Sequence, residues 1–578
     1  MAGSVGLENM LVQGDEDSQT HDQAEQSPSG QERSLDELLQ QCRQVLREVD
    51  DFKTHLASCK KDKTVELRHF RNTISSELKL LEKLTKIDPA TAELRSQHAV
   101  RSSNVPFYSA VWAAAKRSGS VVAFNKRFYW EEPPRRVPLQ QCQPGSGANS
   151  PSTSSVDTPL NRAGPAAASS KRRKAHRPKR KSALVDVVAR GGEEWIKVST
   201  ITSTRIGFEM AKVGWEADSQ ASSSNSEYSD DDDDDDDISL AKVTARLVRA
   251  AKSVRVRYRH PQVVLVLPKI YQHEHPAIDA LLDDLRRTGT VVETGDTIPA
   301  SPALSSSILR SLTIDPIRSF APTVNVDCTL LLALVSDLSH GDVTPQPWFH
   351  TAIKRQIERE KSDTLLPSVL FPAMRGRKLV CVAQAAERMR DIVATIGTPT
   401  EKARTRVLLG DVDADAETDI FQLVGNHDNV KDSKHGSASI TSSANLTALF
   451  QTLSSHSIPA DLHLPISVVA QEEVDAAVEK TLPPTISSSL AQDLSDINTA
   501  VFMYGWAQGI TTLSSNKTVA KHIQVAVEED LDARDGEREA QDGEGGEGRG
   551  QGVVPAGPDI WLCPTARSLV GKEKNRRE

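Results

Sequence analysis

A single aspartate, Asp327, stands where a short β-leaning run meets an apolar stretch with helical spacing. Val324 and Val326 alternate with polar residues before it, and Leu331 and Leu334 share one helical face after it. Open α/β sheets present ligand-binding groups at the carboxyl ends of their strands, where a carboxylate can bind a metal or a phosphate-bearing ligand. Aspartate is also a favoured helix N-cap. Both roles are open for Asp327 on local evidence.

Two further polar residues lie at the ends of predicted elements. Thr398, Pro399 and Glu401 have the spacing of an N-cap, a first helical residue and the third residue of a capping box. Asn516 follows two serines at the end of a predicted strand, and asparagine is common in turns. The local pattern therefore explains Glu401 and Asn516 as structural residues as well as it explains them as ligands.

The elements that would position these residues alternate between strand and helix over residues 301–527. Such alternation is typical of a small α/β domain with a parallel sheet. A low-complexity segment rich in acids and glycine follows at 528–557 and is predicted to be disordered. The predicted strands are 323–326, 378–383, 499–504, 510–516 and, as an edge strand before a basic tail within 558–578, 560–563; the predicted helices are 347–361, 385–396 and 398–409.

The first half of the chain has a different pattern. After a disordered tail at 1–33, Ser34 and Glu37 open an amphipathic helix, a second helix covers 65–84, and the region 34–138 is predicted to be helical. The two apolar stripes suggest a helical hairpin that contributes to a core or, less often, binds a partner. Within 182–300, two β-branched runs flank Gly191 and Gly192, and a strand, helix and strand follow at 262–293. This pattern predicts a small α/β region.

One charged tract precedes the small α/β region 182–300, and another interrupts it. The linker 139–181 is rich in Pro, Ser and Gly and ends in a basic tract that we interpret as a nuclear-import signal, with non-specific contact to polyanions or a solubilising linker as alternatives. The acidic tract 222–237 contains eight consecutive aspartates, and without them the net charge of −9 falls to −1. The cationic residues of the import signal are Lys171, Arg172, Arg173, Lys174, Lys179, Arg180 and Lys181.

Composition limits the class of protein. Only 38% of residues are hydrophobic and 4% aromatic, so we expect a folded portion of about 350 residues among long disordered segments. Six cysteines form no Cys-x-x-Cys pair, which predicts reduced thiols and no structural zinc site. The sequence contains no run of the length that spans a membrane and no apolar N-terminal leader. We therefore expect a protein of the nucleus or cytoplasm without a membrane partner.

The motifs at 324–327, 397–409 and 501–516, taken together, resemble a eukaryotic family known as domain of unknown function 1308. The segment 184–198 and the N-terminal helices resemble the family's N-terminal domain. The family's C-terminal domain is similar to PIN-like (PilT N-terminus) nuclease domains. The resemblance implies an α/β protein whose C-terminal part is a three-layer α/β/α sandwich with a parallel sheet, preceded by a helical hairpin and a smaller α/β region.

The resemblance also implies a site. PIN-type enzymes gather acidic side chains at the carboxyl edge of the sheet to hold Mg²⁺ or Mn²⁺, which activate water and neutralise the scissile phosphate. By position, Asp327 corresponds to the first acid, Glu401 to the second and Asn516 to the last polar ligand, so that Asp327 and Glu401 would bind the metal. Where related sequences place another acid, at the end of the predicted 499–504 strand, this chain has Trp506. An indole does not bind Mg²⁺.

Two functions follow from these expectations. The missing acid favours a degenerate nuclease that acts as a binding or scaffold protein, with RNA as a partner or with a protein partner on the N-terminal helices. The alternative is an active ribonuclease that uses Mg²⁺ or Mn²⁺ to hydrolyse single-stranded RNA.

Overall fold

The computed structural model describes residues 34–85, 100, 102–131, 180–213, 238–341, 343–413, 417–418, 420, 422–423, 442–542 and 557–571. These residues form two five-stranded β-sheets, each packed with helices, so the predicted α/β fold class is confirmed. The tail 1–33, the acidic tract 222–237 and all but the last two residues of the linker 139–181 lie outside the described residues.

The first sheet combines antiparallel and parallel strands in the order β1-β2-β3-β4-β5. The pairs β1–β2 and β2–β3 are antiparallel, whereas β3–β4 and β4–β5 are parallel. Its strands are β1 (Ala123–Glu131), β2 (Arg180–Ala189), β3 (Glu194–Val198), β4 (Gln262–Leu267) and β5 (Val291–Thr294). Its helices are α1 (Leu35–Ser58), α2 (Arg68–Leu84), α3 (Val105–Ser118), α4 (Ser203–Val213), α5 (Ser239–Lys252), α6 (Pro276–Arg287) and α7 (Ser306–Leu312).

Local sequence rules explain most of this first sheet. Ser34 and Glu37 form the predicted capping box at the start of α1. Gly191 and Gly192 have positive φ in the turn between β2 and β3, a backbone conformation that glycine adopts without steric cost. The apolar stripes of α1 and α2 pack into one core with β1–β4. The apolar face of the helical hairpin is therefore buried against the first sheet. The region 34–138, predicted to be helical, also contains the strand β1.

The second sheet is fully parallel in the order β10-β9-β6-β7-β8. Its strands are β6 (Thr323–Val326), β7 (Lys378–Val382), β8 (Ser467–Val469), β9 (Thr511–Ser514) and β10 (Ile560–Leu562). Its helices are α8 (Cys328–Val335), α9 (Asp337–His340), α10 (Thr351–Ser362), α11 (Phe371–Met374), α12 (Ala383–Ile396), α13 (Pro399–Leu409), α14 (Ser443–Thr452), α15 (Gln471–Thr481), α16 (Pro484–Asp493), α17 (Asp496–Ala507) and α18 (Lys517–Asp542).

The order of this sheet places β6 at its centre. The chain proceeds from β6 to β7 and β8 on one side and later adds β9 and β10 on the other side. The carboxyl end of β6, next to β9, is therefore a switch point of the kind where open parallel sheets bind ligands. Asp327 follows β6 at this point, and β10 is an edge strand, as predicted.

The predicted strand at 499–504 is wrong, because these residues belong to helix α17. A short apolar run fits a buried strand and a buried helix equally well, and here every residue from Ala500 to Trp506 is buried. Gly505 lets the helix lie directly on the sheet, since a Cβ there would be 2.0 Å from the Thr512 hydroxyl. Trp506 is therefore a buried helical residue and does not end a strand.

Two predictions of disorder also need correction. Helix α18 continues to Asp542 and so includes the first half of the segment 528–557. Its acidic turns are stabilised by cations, because Arg534 pairs with Asp530 and Arg255 of the first half of the chain pairs with Asp532 and Asp535. Arg180 and Lys181, the end of the predicted import signal, lie in β2; the other five cationic residues of that signal lie outside the described residues.

Two further expectations can be compared with the structure. The described cysteines Cys42, Cys59, Cys328, Cys381 and Cys563 are free thiols. None of the described helices is both long enough and apolar enough to cross a membrane.

Candidate functional site at the carboxyl edge of the parallel sheet

Asp327 lies inside the molecule at the switch point, with only 2% of its surface exposed. Its carboxylate accepts hydrogen bonds from the hydroxyls of Ser514, at 2.6 Å, and Thr329, at 2.7 Å. Ser514 ends β9 and Thr329 belongs to the first turn of α8, so the side chain joins two neighbouring strand ends. Burial raises the pKa of Asp327, and the two hydroxyl donors oppose this rise by stabilising the charged form.

Asn516 lies close to this network but points its side chain elsewhere. Its backbone N–H donates to the Ser514 hydroxyl oxygen at 3.0 Å, which links it to the group that holds Asp327. Its side-chain oxygen accepts from the backbone N–H of Val519 at 3.2 Å. An asparagine that accepts a hydrogen bond from the residue three positions further on is an N-cap. Asn516 therefore starts helix α18.

Glu401 is completely buried at the start of α13 and accepts hydrogen bonds from three backbone amides. One oxygen accepts from Thr398, at 3.0 Å, and completes the predicted capping box. The other oxygen accepts from Asp337, at 3.1 Å, and from Val570, at 2.9 Å. Burial raises the pKa of Glu401, whereas the amides of Thr398 and Val570 oppose that rise. The carboxylate thus joins three remote segments of the chain.

Asp337 organises the polar groups beside Glu401. Its carboxylate accepts hydrogen bonds from the hydroxyls of Thr398 and Thr400 and from the guanidinium of Arg404, each at 2.6 Å. Arg404 is itself buried and also donates to the backbone carbonyl oxygens of Val335 and Leu453. Asp337, Glu401 and Arg404 all have hydrogen-bond partners inside the molecule, as a stable buried network requires.

The C-terminal segment 557–571 closes this side of the sheet. Arg567 is buried and forms an ion pair with Glu360 of α10, with 2.7 Å between the guanidinium Nε and the carboxylate. The hydroxyl of Ser336 donates to the carbonyl oxygen of Ser568 at 2.6 Å. Together with the bond from Val570 to Glu401, these contacts hold the segment against the starts of α9 and α13.

The structure therefore separates the predicted site residues into two networks. Asp327 and Asn516 belong to one network through Ser514, whereas Glu401 belongs to the other with Asp337 and the C-terminal segment. Among the described residues, no hydrogen bond joins Glu401 to Asp327. The sequence patterns did not indicate that the Asp337 amide donates to Glu401 or that Arg404 binds the Asp337 carboxylate. Only the capping-box spacing of Thr398 and Glu401 indicated part of this arrangement.

These residues do not fit a Mg²⁺ or Mn²⁺ site. Such ions bind several oxygen ligands in octahedral geometry and retain water molecules among them. Asp327 and Glu401 are at most 2% exposed. Oδ2 of Asp327 accepts hydrogen bonds from two hydroxyls, and both oxygens of Glu401 accept hydrogen bonds from backbone amides. Over the described ranges, no group of three or more His, Cys, Asp or Glu side chains is arranged to hold a metal ion.

A family model described as "Protein of unknown function (DUF1308)" matches residues 324–457. This confirms the predicted resemblance for that part of the chain. The matched stretch begins in β6, contains Asp327, Asp337, Glu401 and Arg404, and ends before Asn516. No solved structure matches the chain.

Proposed function

We propose that this chain is a binding or scaffold protein with a PIN-like C-terminal domain that does not cleave phosphodiester bonds. The fully parallel sheet with β6 at its centre supports the PIN-like assignment. The residues that correspond to a nuclease site by position are used to hold the fold together. We further infer that the basic tract, including the Lys171–Arg173 triplet, serves nuclear import, which fits a protein that acts in the nucleus as well as the cytoplasm.

The hydrogen bonding of Glu401 carries this proposal. A metal ligand needs lone pairs that face the ion, but the oxygens of Glu401 accept from the amides of Thr398, Asp337 and Val570. Opening this carboxylate to a metal would leave three amides without an acceptor and would detach the C-terminal segment. Each buried donor left unpaired costs about 1–3 kcal/mol. This cost favours the structural role.

The test is a cleavage assay with the full chain and a fluorescently labelled single-stranded RNA in millimolar Mn²⁺ or Mg²⁺. Asp327→Asn and Glu358→Gln are purified in the same way as controls. Glu358 is an exposed residue of α10 that pairs with Lys361, so its replacement reports on contaminating nuclease activity without touching the carboxyl edge.

We expect all three preparations to show only the same background cleavage, with no dependence on Asp327. Metal-dependent cleavage by the wild-type and Glu358→Gln proteins that is lost in Asp327→Asn would overturn the proposal and favour the ribonuclease function.

A further inference from the structure

An open groove of about 720 Å³ lies along the β10 edge of the parallel sheet, and neither Asp327 nor Glu401 lines it. The turn at 256–259 of the first half of the chain forms one wall, and α18 with β10 forms the other. Its lining residues combine cations with aromatic rings: Arg257, Tyr258, Arg259, Phe320, Lys517, Lys521 and Trp561. We refer to this surface as the β10 groove.

The turn that forms one wall of the β10 groove has an unusual backbone. Val256 and Arg259 exchange two backbone hydrogen bonds, and the residues between them, Arg257 and Tyr258, have φ of 49° and 66°. Turns with two positive φ values are normally made by Asn-Gly or Gly-Gly, because larger side chains are strained there. The turn places the Tyr258 ring against Gly557, where a Cβ would be 2.2 Å from the ring. The same turn leaves Arg257 and Arg259 exposed at the groove.

Four cationic and three anionic side chains line the groove. Glu193 faces Arg257 at 3.6 Å, whereas Asp559 and Glu528 accept hydrogen bonds from the neutral Thr511 hydroxyl and Gln524 amide and so keep their negative charge. The remaining cations are Arg259, Lys517 and Lys521, which are all exposed. Within the described part of the chain, none of these three forms an ion pair. Exposed and unpaired cations are available to bind an anionic ligand.

A fixed aromatic surface lies beside these cations. Trp561 is half-buried in the edge strand β10, and its ring packs edge-to-face on Phe320 with 5.7 Å between ring centroids. The guanidinium of Arg377 covers another part of the Phe320 ring, at 5.5 Å from its centroid. A tryptophan supported in this way is held in position without the ligand. Proteins that bind single strands combine such an aromatic platform with a positively charged groove.

We propose that the β10 groove binds a short segment of single-stranded nucleic acid. Arg259, Lys517 and Lys521 contact its phosphates, and one base stacks on Trp561. The groove is open and receives residues from both halves of the chain, which suits a strand that passes through. The proposal extends the binding function suggested above, but it does not depend on the state of Asp327 or Glu401.

The experiment measures fluorescence anisotropy of labelled oligouridine RNA of about ten nucleotides, a length within the usual site size of such grooves. The full chain is used without divalent ions. An abasic strand of the same length and label retains the phosphates but has no bases to stack. The variants are Lys521→Glu, the double variant Lys517→Glu with Lys521→Glu, and Trp561→Ala. Lys79→Glu makes the same charge change at an exposed residue of α2, outside the groove.

We expect oligouridine to bind more tightly than the abasic strand, with an affinity that falls as salt rises. The double charge reversal should weaken binding roughly tenfold or more and reduce the salt dependence, as the loss of two phosphate contacts would. Trp561→Ala should remove about a tenfold preference for the base-bearing strand. Lys79→Glu should bind like the wild type.

Three results would overturn the proposal: no binding to oligouridine, equal affinity for the two strands, or groove variants that bind like Lys79→Glu. An equal affinity would instead favour a general polyanion surface, such as the basic tract. Lys521→Glu keeps the test valid if Trp561→Ala unfolds, because Lys521 is exposed. Metal-dependent cleavage of the oligouridine would contradict the proposed function but leave the groove proposal standing.

Discussion

The carboxyl edge of the parallel sheet and the β10 groove use polar side chains in opposite ways. At the carboxyl edge, Asp327 and Glu401 are buried and their oxygens accept hydrogen bonds from groups of the same chain. In the β10 groove, Arg259 and Lys521 are exposed, and no partner is seen for them among the described residues. Polar groups that are already satisfied stabilise a fold, whereas unsatisfied groups at a surface can bind a ligand. We therefore infer that the polar residues of the carboxyl edge stabilise the fold and that those of the β10 groove bind a ligand.

The largest effect is expected from Glu401→Ala. The substitution leaves the amides of Thr398, Asp337 and Val570 without their acceptor inside the protein. The free energy of unfolding, measured by urea denaturation, should fall by about 3 kcal/mol or more, because each unpaired buried donor costs about 1–3 kcal/mol. Glu401→Gln keeps one acceptor oxygen and should lose less. Hydrogen exchange at the Val570 amide should become faster in Glu401→Ala, which removes its acceptor.

The matched control for this prediction is Glu358→Ala, because Glu358 is exposed and forms a surface ion pair with Lys361, which contributes little to stability. A carboxylate that exists to bind a metal destabilises the metal-free fold. The urea denaturation is done in the presence of a chelator. An unchanged or higher stability of Glu401→Ala would indicate that Glu401 is a binding residue and would contradict its structural role.

A smaller effect, on the pH dependence of stability, is expected from replacing His340. This residue is buried beside the Glu401 network. Its Nε2 lies 2.5 Å from the Leu334 carbonyl oxygen, and its Nδ1 lies 2.8 Å from the Ser454 hydroxyl. Burial lowers the pKa of His340 to about 3, and the nearby charge of Arg404 adds to this effect. The folded protein therefore keeps His340 neutral at pH values where the unfolded chain protonates it.

The sign of the pH dependence follows from this difference. The contribution of His340 to stability is present above the unfolded pKa of about 6.5 and is lost as the pH falls towards 3, by at most about 1.4 kcal/mol per pH unit. Urea denaturation between about pH 7 and pH 4 should show a steeper loss for the wild type than for His340→Gln. His273→Gln, at an exposed position, should retain the wild-type slope. Equal slopes in all three proteins would show that His340 is open to solvent.

Much of the fold follows from local patterns. The strand Gln262–Leu267 and the capping boxes at Ser34 and Thr398 are specified by residues a few positions apart. The segment 499–504, predicted as a strand, lies in the helix Asp496–Ala507, because a short apolar run has no period that distinguishes a strand from a helix. Its helical form depends on the close approach of Gly505 to the sheet, which tertiary packing determines.

The candidate sites were harder to predict, because their partners are remote in sequence. Glu401 contacts Asp337 and Val570, which lie 64 and 169 positions away. The β10 groove brings Arg259 near Trp561 from the other half of the chain. Spacing rules identify a residue's role within its own helix or strand, and so they found the cap at Glu401 but not the network around it. Only the fold shows that the same carboxylate holds the C-terminal segment.

The most direct test of the structural role of the carboxyl edge is the unfolding temperature of the full chain in millimolar Mg²⁺ or Mn²⁺ compared with a chelator, for the wild type and Asp327→Asn. An ion at a hundred times its dissociation constant would stabilise the folded state by about 2.7 kcal/mol. We predict that neither ion changes the difference in unfolding temperature between the two proteins. A rise with the metal in the wild type that is absent in Asp327→Asn would show that Asp327 binds the ion and would contradict this account.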